Sequence, residues 1–421
     1  MKGAIERRWT GMLAGMRGFP SFLAREARPK GPVWTPFNVI SGLVMLVGAV
    51  LLVIRFTRGL GSITNLSQDF PWGLWIGFDV ITGVAFAGGA YVLTFMVYIL
   101  GQEKYHPIVR VTVLNGFLAY LFYAGALLLD LGRPWNVVNP IIGNSFGTSS
   151  VLFLVAWHFL LYMLAELVEF SPAVAEWLGW ERVRRVLAGM THGGVVFGIT
   201  LSTLHQSGLG ALYLMARDKV HPLWYSEFIP ILFLVSSVFA GLSMVIFEGT
   251  ITHGAFRHRV GRQLAASHNG IVVGLAGVSA GTMVVYLVLQ LLVFVHGQRW
   301  VYLGTGMGAW YLLEMLGLVL LPAALFIYGY RREDLRVIRA AALIAMLGIV
   351  MNRLNVSVIG FKWYAAERYV PSWMEIEVTL AVIAAEIWVF RWIVNRMPVL
   401  GAAFERPQVL RTEPGPRVAA A

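Results

Sequence analysis

The stretch PWGLWIGFDVITGVAFAGG, residues 71–89, decides the fold. Asp79 is its one charged residue, and no other Asp, Glu, Lys or Arg occurs between Pro71 and Gln102. About 20 apolar residues cross the hydrocarbon core of a bilayer, and this run is longer. A carboxylate in hydrocarbon costs about 3 kcal/mol or more, so such a residue normally has a task and a partner. Trp72, Trp75, Ile76 and Gly83 share its side of the helix by i±3, i±4 and i±7 spacing. Small Gly83 makes room there for a ligand or a neighbouring helix.

Working outward, 58% of the 421 residues are hydrophobic and 13% charged, with a mean hydropathy of +0.70. Soluble domains carry about 25% charged residues, so this is a multi-spanning membrane protein. The net charge of +11 does not imply nucleic acid, because excess Lys and Arg mark the cytoplasmic loops of membrane proteins. There are no cysteines, which excludes disulfides, thiolate-bound zinc and iron–sulfur clusters within this chain. Electron transfer, if present, must use a bound small molecule or a partner's clusters.

Ten windows have the length and apolarity to span: 37–57, 72–100, 107–129, 147–169, 184–207, 228–250, 268–295, 306–330, 336–358 and 376–396. The ninth holds Arg339 and Arg353 near its ends, where both are expected to snorkel. Short loops suggest two four-helix bundles, about 72–207 and 228–358, flanked by 37–57 and 376–396. Residues 1–36 form a basic arm expected on anionic lipid, and 397–421 a tail. With both termini cytoplasmic, 24 of the 33 Lys and Arg residues fall on inner segments. The expected fold is thus all-α, with about ten spans and both termini inside.

That orientation collects the unusual sequences at the outer face: LGRPWNVVNP (131–140), STLHQSGLGALYL (202–214), HPLWYSE (221–227), NRLNVSV (352–358) and YVPSWMEIEVTL (369–380). His205 and Gln206 end the fifth span, where an imidazole can exchange a proton near neutral pH. Against that stands an ordinary interfacial histidine facing water. Trp224 and Tyr225 follow in the same outer region, although aromatic belts are common at this depth. His158, Tyr162, Glu166 and Glu169 form one stripe along the fourth span. Such a row can relay protons, or the two acids simply end the helix at the interface. Glu248, Glu314 and Glu386 are further embedded acids, and Arg353 is a partner for one of them. Gly270, Gly274, Gly277 and Gly281 make one helical face for close packing, and the GVSAG within it lacks the strand-to-helix turn of a hydrolase elbow. His192 and His205 lie about 140° apart around one helix and cannot share a haem.

PWGLWIGFDVITGVAFAGG (71–89), LDLGRPW (129–135), TLSTLHQSGLGALYL (200–214), HPLWYS (221–226), MNRLNVS (351–357) and PSWMEIEVTL (371–380) together resemble the HybB-like branch of the NrfD/polysulfide-reductase membrane family. The likeness runs from about residue 37 to 396. One departure is Gly208, where the family often has Ser. The resemblance implies two four-helix bundles with extra helices and no haem. It implies a quinone (menaquinone or ubiquinone) near the outer face, beside an extracytoplasmic ferredoxin-like iron–sulfur subunit. That subunit would serve a catalytic partner: a hydrogenase, a molybdenum enzyme or a multihaem cytochrome.

The expectation is therefore a quinone-reactive subunit of a respiratory complex in the bacterial inner membrane, unlikely to act alone. Trp72, Asp79, His205 and Gln206 are expected to line the pocket, with Trp224 and Tyr225 as weaker members. Asp79 or His205 would exchange the quinone proton, and His158, Tyr162 and Glu166 would connect the pocket to the cytoplasm. No metal site is expected. The rivals are a secondary transporter, against which Pro322 lacks a counterpart in an earlier span, and a passive anchor, which leaves Asp79 unexplained.

Overall fold

The computed structural model describes residues 22, 24–139 and 147–400. Most of the basic arm (1–21), Pro140 of LGRPWNVVNP and most of the tail (401–421) lie outside the described residues. Ten long helices follow in order: α1 (Pro36–Arg58), α2 (Trp75–Ile99), α3 (Val109–Asp130), α4 (Val151–Trp177), α5 (Glu181–Ala211), α6 (Ile229–Ala255), α7 (Arg262–His296), α8 (Gly306–Arg332), α9 (Leu335–Ile359) and α10 (Trp373–Val394). Among the described residues there is no strand, only a bridge between Val220 and Phe361.

Nine of these helices are long and apolar enough to cross a membrane. The expected tenth, α10, has the length at 22 residues but carries Glu375, Glu377, Glu386 and Arg391. It starts at a capping box, in which Ser372 and Glu375 satisfy each other's backbone N–H groups. The fourth expected span ends too early. Glu166 and Glu169 do not stop α4, which runs on to Trp177 with both acids buried.

α2 packs on α3, α3 on α4 and α4 on α5; α6 packs on α7, α7 on α8, α8 on α9, and α9 returns to α6. α2 and α5 join the two sets through α6, while α10 pairs with α1 and rests on α3. α2 is the central helix, with 89% of its apolar window buried inside the protein. Glycine makes that possible: a Cβ at Gly89 would lie 2.7 Å from the Gly241 carbonyl oxygen of α6, and one at Gly83 would strike the Tyr123 ring of α3. The room predicted beside Asp79 is thus taken by a neighbouring helix. The glycine face of α7 is only partly used. Gly274 meets Tyr105 and Gly277 meets Tyr330, whereas Gly270 and Gly281 face open space. Ser279 lies inside α7, far from any strand-to-helix turn.

The two ends differ. At one, the loops after α1, α3, α5, α7 and α9 knit together. Lys362 Nζ donates to Asp69 (2.6 Å), Ser372 Oγ to the Ile63 carbonyl (2.6 Å), and the Arg299 guanidinium to the Tyr225 carbonyl (2.5 Å). His221 is buried there between the rings of Trp224, Tyr302 and Trp363. Burial, and then the charge of Arg368, hold its pKa down at about 4. At the other end lie the basic turns around Lys104, Arg257, Arg259, Arg331 and Arg332, tied to the end of α10 by Arg110 on the Pro398 carbonyl (2.9 Å) and by Arg259 on the Asn395 carbonyl. We call these the loop-rich end and the basic end.

Candidate functional site

Four helical stretches open into wide π turns: Trp75–Val80, Phe95–Ile99, Leu313–Leu320 and Asn355–Ile359. The first carries Asp79, the third Glu314 and the fourth Asn355. A π turn releases a regular backbone bond and re-aims side chains, and it often marks a functional position. Thr82 caps one released group by donating to the Gly77 carbonyl at 2.8 Å.

Asp79 is 2% exposed and turns toward α10, where Thr379 Oγ1 donates to its carboxylate at 3.1 Å. The Tyr123 ring fills the adjoining Gly83 notch. Trp75 Nε1 donates to the Glu375 carbonyl at 3.1 Å, seating α2 against the start of α10. Trp72 lies higher, its ring edge-on to Tyr213 at 6.0 Å.

His205 and Gln206 are both 1% exposed but look elsewhere. His205 Nδ1 meets the Val155 carbonyl of α4 at 3.1 Å, and its Nε2 has no protein partner. Its ring is bracketed by Tyr120 (5.7 Å) and Phe159 (5.4 Å). Gln206 Nε2 donates to the Val84 carbonyl of α2 at 2.7 Å. Among the described residues no hydrogen bond or ring contact joins Asp79 to either. The missing Ser at 208 has a structural reading: a Cβ there would sit 2.9 Å from Val155 Cγ2, so glycine lets α4 come close enough for its carbonyl to hold His205.

Below His205, Tyr120 stacks edge-on to Tyr162 at 4.6 Å, and two buried acids follow toward the basic end, Glu166 against Gly116 of α3 and Glu169 against Gly198 of α5. Both Glu166 oxygens, the Tyr120 hydroxyl and Ser202 Oγ are buried without a well-formed hydrogen bond, although Tyr162 neighbours Glu166 and Ser202 neighbours Tyr120. His158 is only half-buried on the same helix.

Trp224 and Tyr225 belong to a different neighbourhood. Trp224 Nε1 donates to Glu314 Oε2 at 2.7 Å, while Tyr225 offers its carbonyl to Arg299. Asn352 donates to Glu314 Oε1 (2.7 Å) and Asn355 to Oε2 (2.6 Å), so three donors hold that carboxylate. Arg353 was expected to snorkel, but it is 1% exposed and turns inward. It donates to Asn352 Oδ1 (2.8 Å) and Ser236 Oγ (2.7 Å), over the Phe233 ring at 3.6 Å. Arg353 does serve Glu314, through Asn352 rather than by direct contact. The spacing of NRLN could have signalled this, because Asn352 and Asn355 are i, i+3 on one face. A cleft of about 290 Å³ beside Glu314 is lined by Tyr286, Gln290, Arg299 and Tyr311.

A haem held by two histidines needs facing imidazoles with a porphyrin between them. The stacked rings of His253 and His268, 4.4 Å apart and inclined by 23°, leave no such gap. Among the described residues no group of three or more His, Asp and Glu side chains gathers as a metal site.

The model of the family "Polysulphide reductase, NrfD" matches residues 62–365. The chain is 43% identical to a protein of Nitratidesulfovibrio vulgaris Hildenborough over 91% of this chain and 98% of the relative. It is 31% identical to the probable Ni/Fe-hydrogenase 2 b-type cytochrome subunit of Escherichia coli K12, over 86% and 92%. It is also 27% identical to the integral membrane subunit of a menaquinone reductase of N. vulgaris, over 90% and 94%. With this match over most of its length and, among the described residues, nine helices apolar enough to cross a membrane, this chain belongs to the NrfD family of multi-pass integral membrane proteins.

Proposed function

We propose that this chain is the quinone-reactive membrane subunit of a respiratory oxidoreductase complex in the bacterial inner membrane. Its loop-rich end faces outward. There it passes electrons between a partner's iron–sulfur subunit and a quinone. The relatives named as subunits of a menaquinone reductase and a Ni/Fe-hydrogenase support the class of complex. The observation that carries the reading is the pair of buried proton-exchanging groups toward the loop-rich end of α2 and α5: Asp79, with one hydroxyl donor, and His205, with a free Nε2. Buried polar groups normally find a partner, and a quinone oxygen or its proton supplies one. Trp72 and Gln206 flank the head group in this reading. Trp224 and Tyr225 support the wall through Glu314 and Arg299.

Tyr162 and Glu166, with His158 beside them, continue from His205 toward the basic end as its proton route. The test is quinone turnover by the purified complex in liposomes. Asp79→Asn and His205→Ala are each expected to slow it by about 100-fold, the usual worth of a proton-transfer group. Normal turnover in both removes the pocket. An unchanged proton signal inside the vesicles for Glu166→Gln removes the α4 route.

A further inference from the structure

Asp79 faces away from the α4 row, so that row does not explain how a proton reaches it. Two stripes converge on its side instead. On α10, Glu375, Thr379 and Glu386 fall at i, i+4 and i+11, within about 40° of arc. On α3, Asn115, Tyr123 and Asp130 fall at i, i+8 and i+15, within about 80°. α10 rests on α3, so the stripes oppose each other with Asp79 between them near their loop-rich ends. The Tyr123 ring fills the notch at Gly83, one turn along α2 from Asp79. Glu248 comes from α6 and accepts a hydrogen bond from Asn115.

Glu248 opens on a cleft at the basic end, lined also by Thr112, Thr252, His253 and His268. His268 is 7% exposed and its Nε2 has no protein partner. Hydrogen bonds bridge the loop-rich end of the same seam. Glu375 accepts from the Tyr369 hydroxyl and the Ser372 N–H, both at 2.8 Å. Arg55 donates to the Leu129 carbonyl at 2.8 Å and also to that of Leu131. A cleft thus meets Glu248 at the basic end, while hydrogen bonds tie the loop-rich end together.

We propose that α3, α6 and α10 enclose a proton inlet from the basic end to Asp79, passing His253 and His268, Glu248, Glu386 and Tyr123. It deepens the quinone reading and rests on it. In quinone reduction the electrons come from the partner's iron–sulfur centre and one proton accompanies each. The inlet refills Asp79 after it has protonated a quinone oxygen, and quinol leaves. A one-sided path couples that uptake to the membrane potential, whereas a path open at both ends would dissipate it. Thr379 and Glu386 stand on α10, beyond the matched residues 62–365.

The complex purified through this chain is reconstituted in liposomes, with quinone turnover and internal pH followed together. Glu386→Gln and Glu248→Gln are expected to slow turnover at least about tenfold and to abolish the matching part of the internal pH change. Glu386→Asp should retain most of both. Azide or formate, small acids that carry protons past a broken relay, should restore turnover in the Gln variants, which a structural defect would not permit. Wild-type turnover and pH change in both Gln variants overturn the inlet alone, as does slow turnover that neither acid restores. A wild-type complex that turns over no quinone overturns the reading beneath it.

Discussion

Asp79 and Glu314 are both buried carboxylates in π turns, each set toward the loop-rich end of its helix, yet their surroundings differ. Glu314 is held by Trp224, Asn352 and Asn355, with Arg353 braced behind Asn352. Asp79 has the hydroxyl of Thr379. The first is built as framework: its hydrogen bonds tie α8, α9 and the loop before α6 into one block. The second is under-coordinated, as a group must be if it is to exchange protons. A buried acid in a membrane protein is thus not functional by position alone, and the number of donors around it tells the two cases apart.

The comparison can be broken most decisively by activity. Asp79→Asn should lower quinone turnover by about 100-fold while leaving the melting temperature nearly unchanged, since an amide fills the same space and still accepts from Thr379. Glu314→Leu should do the reverse. Leaving Trp224, Asn352 and Asn355 without their acceptor should destabilise the protein by about 3–5 kcal/mol in a detergent melt, with turnover per folded molecule lowered far less than in Asp79→Asn. If Glu314→Leu instead abolished turnover at unchanged stability, the division between framework and chemistry would fail.

Thr379→Val should cost about 1 kcal/mol, and turnover should fall several-fold and recover in Thr379→Ser. Equal behaviour of Val and Ser would mean that the hydroxyl does not orient Asp79. The smallest effect concerns His221, whose folded pKa of about 4 lies below its ordinary 6.5. Its stability contribution is complete above pH 6.5 and is lost as pH falls toward 4, because the unfolded chain then binds a proton that the folded chain refuses. Melting temperature should drop between about pH 7 and 5. The drop should be smaller in His221→Phe.

Much of this was legible in the chain. Asp79, His205 and Gln206 stand out as polar residues in apolar runs, and all three are buried. Glu314 and Arg353 were recognisable as related, although Asn352 stands between them. An arginine near a helix end normally reaches for water. Here Ser236, the Phe233 ring and Asn352 already satisfy it inside. Trp224 was drawn toward Asp79 by its nearness to His205 in sequence, whereas its N–H is spent on Glu314. Thr379 lies within the outer motif YVPSWMEIEVTL, but nothing in its spacing marks it as the partner of Asp79.

The sequence by itself determined the number and order of the long helices, their apolar character and the chemical difference between the two ends. These are sums of local terms, hydropathy over about 20 residues and charge over each loop, and they survive errors of a few positions. Only the tertiary structure decided that Asp79 answers to Thr379, that Glu314 is saturated and that His205 keeps a free nitrogen. Such pairings depend on how each helix is rotated and how deep it sits, to within the reach of one hydrogen bond. That precision comes from close contacts such as Gly83 with Tyr123 and Gly208 with Val155, between residues far apart in the chain.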